Sequence, residues 1–119
     1  MANLESNLNK LSETFDKLNE IRETSLTISR SIVRDCSKSI RFIHRNDIKG
    51  AEEFIDNAKK KITELKKLTE NVSEISFAGY VLDAEREYVE AVLFMFMNQK
   101  DTLNPLKNLM SIHQVIFRE

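Results

Sequence analysis

Asp83-Ala-Glu-Arg-Glu87-Tyr-Val-Glu90-Ala91 is the stretch on which the reading of the fold turns. It lies within a segment, Ser76 to Asn98, whose other positions are mostly apolar: Phe77, Val81, Leu82, Tyr88, Val89, Val92, Leu93, Met95 and Phe96. At about 100° per residue, Asp83, Glu87 and Glu90 share an arc of about 60° on one side of a helix. Phe94 and Met97 continue that stripe one turn later. A helix apolar nearly all round is normally buried. Acids inside it need partners, because an unpaired buried charge is expensive. Cations from neighbouring helices supply them, or a metal ion does.

Working outward, the composition favours the same class. The chain has 119 residues, with two Gly, one Pro and no Trp. So few turn formers allow only two or three breaks, so the elements are long and helical. One domain fits this length. The net charge of −1 gives no bulk attraction to nucleic acid or membrane, so any such binding comes from local patches. Cys36 has no second cysteine to pair with, which fits a reducing, cytoplasmic setting. The N-terminal Met-Ala-Asn-Leu-Glu-Ser shows no signal-peptide pattern. The longest apolar run, Ala91 to Met97, is too short to span a bilayer, so no membrane partner is expected.

In chain order, residues 3–45 read as one very long helix. Leu4, Leu8, Leu11, Phe15, Leu18 and Ile21 are spaced like heptads, and Ile28, Ile32, Cys36, Ile40 and Ile43 follow. Thr24 to Ser31 is rich in Ser and Thr, and a break or bend near Thr24 to Thr27 is the main alternative. Unbroken, this helix would be about 65 Å long, more than the width of any globule the chain makes alone. It should therefore find partners outside itself. The break at His44 to Asp47 offers Asn46 or Asp47 as the cap of a second helix over 48–70. Asn71 to Glu74 is a second break, with Ser73 as N-cap of a third helix over 74–98. Gly79 sits inside that helix, where close helix contact would explain it. Asn104-Pro105 opens a short fourth helix over 105–111. The expected fold is an all-α antiparallel bundle of long helices forming a single domain.

Two stripes carry chemistry. Asp83, Glu87 and Glu90 form the acidic one. As a functional site it suits Mg²⁺, which takes a few carboxylate oxygens and keeps several waters. Such an ion assists phosphodiester hydrolysis. The competing reading pairs Glu87 and Glu90 with Arg86 and with lysines of neighbouring helices. The basic stripe is Arg30, Arg34, Lys38, Arg41 and Arg45, within an arc of about 80°. It reads either as a phosphate-tracking rail or as a solvated face balanced by Asp35 and nearby acids. Phe42 and His44 lie close enough to stack on unpaired bases, although His44 reads better as a surface residue. There is no Gly-rich phosphate loop and no Cys/His cluster.

Glu87-Tyr-Val-Glu90-Ala91, set in an apolar helix after a very long first helix, resembles the translin family. It is most similar to the branch of translin-associated factor X and its archaeal relatives. Arg22-Glu-Thr and the Ser/Arg-rich stretch to Arg34 also look similar. The resemblance runs in order along essentially the whole chain. It implies an all-α subunit of closed, often octameric, homo- or hetero-oligomeric shells that bind single-stranded RNA or DNA. It further implies Mg²⁺-dependent endoribonuclease activity, with Glu87 and Glu90 matching the two helix glutamates of that branch. A further acidic ligand comes there from the second half of the fold, so this chain reads as the N-terminal half. Asp83 is an adjacent third acid by spacing alone.

Overall fold

The computed structural model describes residues 2–99. The expected helix over 105–111 lies outside the described residues. Four helices follow in order: α1, Ala2–His44; α2, Ile48–Thr69; α3, Ser73–Ser76; and α4, Gly79–Gln99. Among the described residues there is no strand, and the chain is all-α.

The long first helix is unbroken through the Ser/Thr-rich stretch, so the alternative break near Thr24 to Thr27 does not occur. The physical reason is where the hydroxyls go. Ser25, Ser29 and Ser39 lie on the buried face together with Ile32, Cys36 and Ile43. Their steps of four and three keep them on one side of the helix. Small side chains there let neighbouring helices approach, and the Ser39 hydroxyl donates to the Ala51 carbonyl of α2 at 3.1 Å. Thr27 instead turns back and donates to the Glu23 carbonyl, 3.0 Å away, within its own helix.

At the first break, Asn46 adopts a left-handed backbone, φ 63°, which Asn tolerates better than most residues. Asp47 is the N-cap of α2 and accepts from the Gly50 amide at 3.0 Å. A side chain at Gly50 would force the Phe42 ring or the capping Asp47 carboxylate to shift. A Cβ at that position would come within 2.9 Å of the Phe42 ring and of the Asp47 carboxylate.

The third helix differs from the sequence expectation. It is split into α3 and α4 at Phe77 and Ala78, where the Ala78 carbonyl accepts from the Val81 and Leu82 amides. The N-cap of α3 is Val72 rather than Ser73, with no side-chain cap bond. Gly79 opens α4 instead of lying inside a longer helix, and a Cβ added there meets nothing within 4 Å. Close helix contact is therefore not why a glycine stands at this position.

The core joins three helices: Ile32 and Cys36 of α1, Ile55, Ala58, Ile62 and Leu65 of α2, and Val81, Ala84, Tyr88 and Ala91 of α4. A side chain such as Ile62 or Leu65, fully out of water, contributes about 1.5–3 kcal/mol. Burial does not encircle α4 as expected: Leu82, Leu93 and Met97 on its outer side are exposed. The first third of α1 projects beyond the bundle. Residues 3–17 are all exposed, and Phe15 keeps 62% of its surface in water. The described residues extend 69 Å along their longest axis.

Candidate nucleic-acid interface

The relative course of α1 and α4 fixes the site. Tyr80 and Asp83, early in α4, line one pocket with Arg30 and Arg34 of α1. Further along, the ring of Phe94 lies 5.2 Å from that of His44 at the end of α1. The two helices therefore run in the same direction, with a groove between them. Between these points Glu87 comes near Cys36. Burial, then the charges of Glu87 and Asp35, push the Cys36 thiol up to about 12.

The five basic side chains, Arg30, Arg34, Lys38, Arg41 and Arg45, are all exposed, as a phosphate-tracking stripe must be. On the helical wheel they lie roughly opposite the buried face of α1. None of them makes an ion pair among the described residues. Asp35 does not balance this face. It is buried and bonds the Lys61 ammonium of α2 at 2.6 Å, and the Ser31 hydroxyl accepts from the same ammonium at 2.6 Å. Lys38 reaches over the Phe54 ring, 5.5 Å from its centroid, and Phe54 stacks on Phe42 at 5.3 Å. That places an aromatic pair beside the rail. Phe54 was not legible beside the basic stripe, because it comes from α2. His44 is exposed, in keeping with a surface role.

The acidic stripe sits on the α1-facing rim of α4, less buried than an apolar setting suggests. Asp83 and Glu90 are exposed and Glu87 is half-buried. Arg86 bonds Asp83 at 2.9 Å, one turn along the same helix. Lys66 of α2 lies 3.8 Å from Glu85, whose carboxyl burial holds above the usual range despite that cation. The cations expected for Glu87 and Glu90 are thus engaged with other acids. Neither glutamate has an ion pair among the described residues.

Glu87 and Glu90, three residues apart, can present two carboxylates to one divalent cation. Mg²⁺ fits such a pair because it keeps several waters. Among the described residues no group of three or more His, Cys, Asp or Glu side chains converges. Any further ligand has to come from water, from bound phosphate or from residues outside this set.

The pocket at the lower end of the groove has a volume of about 730 Å³. Leu26, Thr27, Ser29, Arg30, Val33 and Arg34 form one wall, and Tyr80 and Asp83 form the other. The hydroxyls of Ser29 and Tyr80 are shielded from water and have no hydrogen-bond partner, and the same holds for Ser25 one turn earlier. The sequence signal for these serines was their place in the apolar repeat, where a core residue was due.

This chain is 36% identical over 98 residues to uncharacterized protein MJ0175 of Methanocaldococcus jannaschii. The match takes in 82% of this chain and 43% of that protein, so the chain spans less than half the length of the curated relative it matches. No family profile matches the chain, and no solved structure matches it. No described helix is long and apolar enough to cross a membrane.

Proposed function

We propose that this chain is a translin-like subunit that binds single-stranded RNA or DNA along α1, with Glu87 and Glu90 placed for Mg²⁺-dependent cleavage of RNA. One observation carries the reading: Arg30 and Arg34, the first two cations of the exposed basic stripe, line one pocket with Asp83, which shares a face of α4 with the unpaired Glu87 and Glu90. Cations that face water without acidic partners are free to neutralise phosphates. The Phe42–Phe54 pair beside them offers a stacking surface for unpaired bases. A strand whose phosphates sit on Arg30 and Arg34 reaches the Asp83 end of the acidic face, one turn from Glu87. Mg²⁺ bound there supplies charge stabilisation to the phosphoryl group and acidifies water. The protein's own part is to hold the strand, orient it and present two carboxylates from one rigid helix.

The test is a fluorescent single-stranded RNA incubated with Mg²⁺. Cleavage should appear, stop with a chelator, and be lost in Glu87→Gln and Glu90→Gln while strand binding persists. Equal cleavage by wild type and both variants removes the catalytic part. A second reading, a noncatalytic assembly module, is favoured by the exposed apolar stripe Leu4, Leu8, Leu11 and Phe15. It predicts an oligomer by sedimentation, with no affinity for single strands.

A further inference from the structure

We infer that the α1–α4 pocket is a nucleotide subsite, taking one unstacked base of the strand with its phosphate on Arg30 and Arg34. This rests on the single-strand reading above and adds a place where one residue of the strand is read individually. Three features of the pocket select that ligand. Its volume, about 730 Å³, falls in the range of small-molecule sites, whose lining is mostly apolar with a few convergent polar groups. Leu26, Val33 and the Tyr80 ring supply the apolar surface on which a base rests. Arg30 and Arg34 carry charge that no acid among the described residues neutralises. A planar guanidinium binds phosphate in a bidentate manner.

The third feature is the pair of hydroxyls. Ser29 keeps 2% of its surface exposed, and its oxygen has no partner; the Tyr80 hydroxyl is equally unsatisfied. Buried polar groups are nearly always hydrogen-bonded, so two orphans in the walls of one pocket call for a polar ligand. Both oxygens are closed to solvent as the helices stand, so a base edge meets them once the Tyr80 ring turns outward, and an aliphatic ligand offers them nothing. Asp83 adds an acceptor on the rim, through the carboxylate oxygen that Arg86 does not hold, for an N–H of the base rather than a carbonyl.

Tyr80→Phe and Ser29→Ala test this, because each removes an unsatisfied hydroxyl while leaving the shape nearly intact. Both should leave the thermal midpoint unchanged or raise it. Both should also weaken binding of AMP and of a short oligoadenylate, followed by calorimetry and fluorescence anisotropy. Filling the pocket with Val33→Phe should cost about fivefold or more in oligoadenylate affinity, the loss of about one stacked base. Arg41→Gln, on the rail outside the pocket, should weaken the oligonucleotide but not AMP. If oligoadenylate binds normally to Val33→Phe, Tyr80→Phe and Ser29→Ala, the subsite is overturned and the rail reading stands. If AMP binds and pocket variants abolish it while no oligonucleotide binds, the pocket is supported and the strand reading fails. A stability loss in Tyr80→Phe and Ser29→Ala that matches their affinity loss also overturns the subsite.

Discussion

Neutralising part of the α1 rail is the most quantitative trial of the strand-binding reading. From Arg30 to Arg45 the stripe runs fifteen residues, about 22 Å of helix at about 1.5 Å per residue. A stacked strand carries a phosphate about every 3.4 Å, so each of the five cations has one within reach. Each phosphate neutralised on a single strand contributes about −0.7 to the slope of log K against log salt. Five contacts then predict a slope of about −3.5, or a loss of about a hundredfold in affinity between 50 and 200 mM salt. Arg34→Gln with Arg41→Gln removes two exposed side chains that make no hydrogen bond or ion pair among the described residues, so the fold should be indifferent. The slope should fall to about −2, and affinity at low salt should drop for every sequence alike. Fluorescence anisotropy of a labelled oligonucleotide across a salt series measures both quantities. A slope that stays at its wild-type value, or a wild-type slope near zero, refutes the assignment of these five residues to phosphate.

Three further outcomes follow from the described contacts. Asp35→Ala strands the Lys61 ammonium; because Lys61 keeps about a third of its side chain in water, the cost should be about 1–3 kcal/mol, below that of a fully buried pair, read by urea denaturation. Burial, with nearby acids, raises Cys36 from 9.0 to about 12 and Tyr88 from 10.0 to about 12, so both stay neutral in the fold while the unfolded chain ionises. Stability from these groups is fully present below pH 9 and is lost as pH rises from 9 to 12, visible as a falling thermal midpoint; a flat profile over that window would contradict their burial. Leu8→Glu with Phe15→Glu, on the projecting part of α1, should dissolve any self-association in sedimentation yet leave the melting of the bundle unchanged, since residues 3–17 touch no core.

Helical periodicity made the long elements legible, and their ends less so. Spacings of three and four placed α1 and α2 within a residue of their observed limits, and Asp47 is one of the two caps the sequence offered for α2, Asn46 being the other. The Ser/Thr-rich stretch looked like a weak point because propensity counts local competition for the backbone. Packing decided otherwise, since inward serines are what let α1 close on its neighbours. The break at Phe77 and Ala78 carries neither proline nor a side-chain cap, so local sequence had no punctuation to show. Gly79 was the only local mark, and it fits a helix interior as readily as a helix start. For the site, both stripes could be listed from angles on a single helix. That Arg30 and Arg34 meet Asp83 in one pocket could not, because this depends on α4 running alongside α1 in the same direction. Phe54, Tyr80 and Ser29 find their neighbours only across helices, beyond the reach of any one-helix pattern.

The projecting end of α1 also governs how the molecule behaves in a flow field. The described residues have a radius of gyration of 18.4 Å, against about 13 Å for a compact domain of this length. An elongated particle drags more solvent and leaves a sizing column early, so a single copy can masquerade as a pair. Light scattering or equilibrium centrifugation, which weigh particles regardless of outline, are the right instruments for counting subunits.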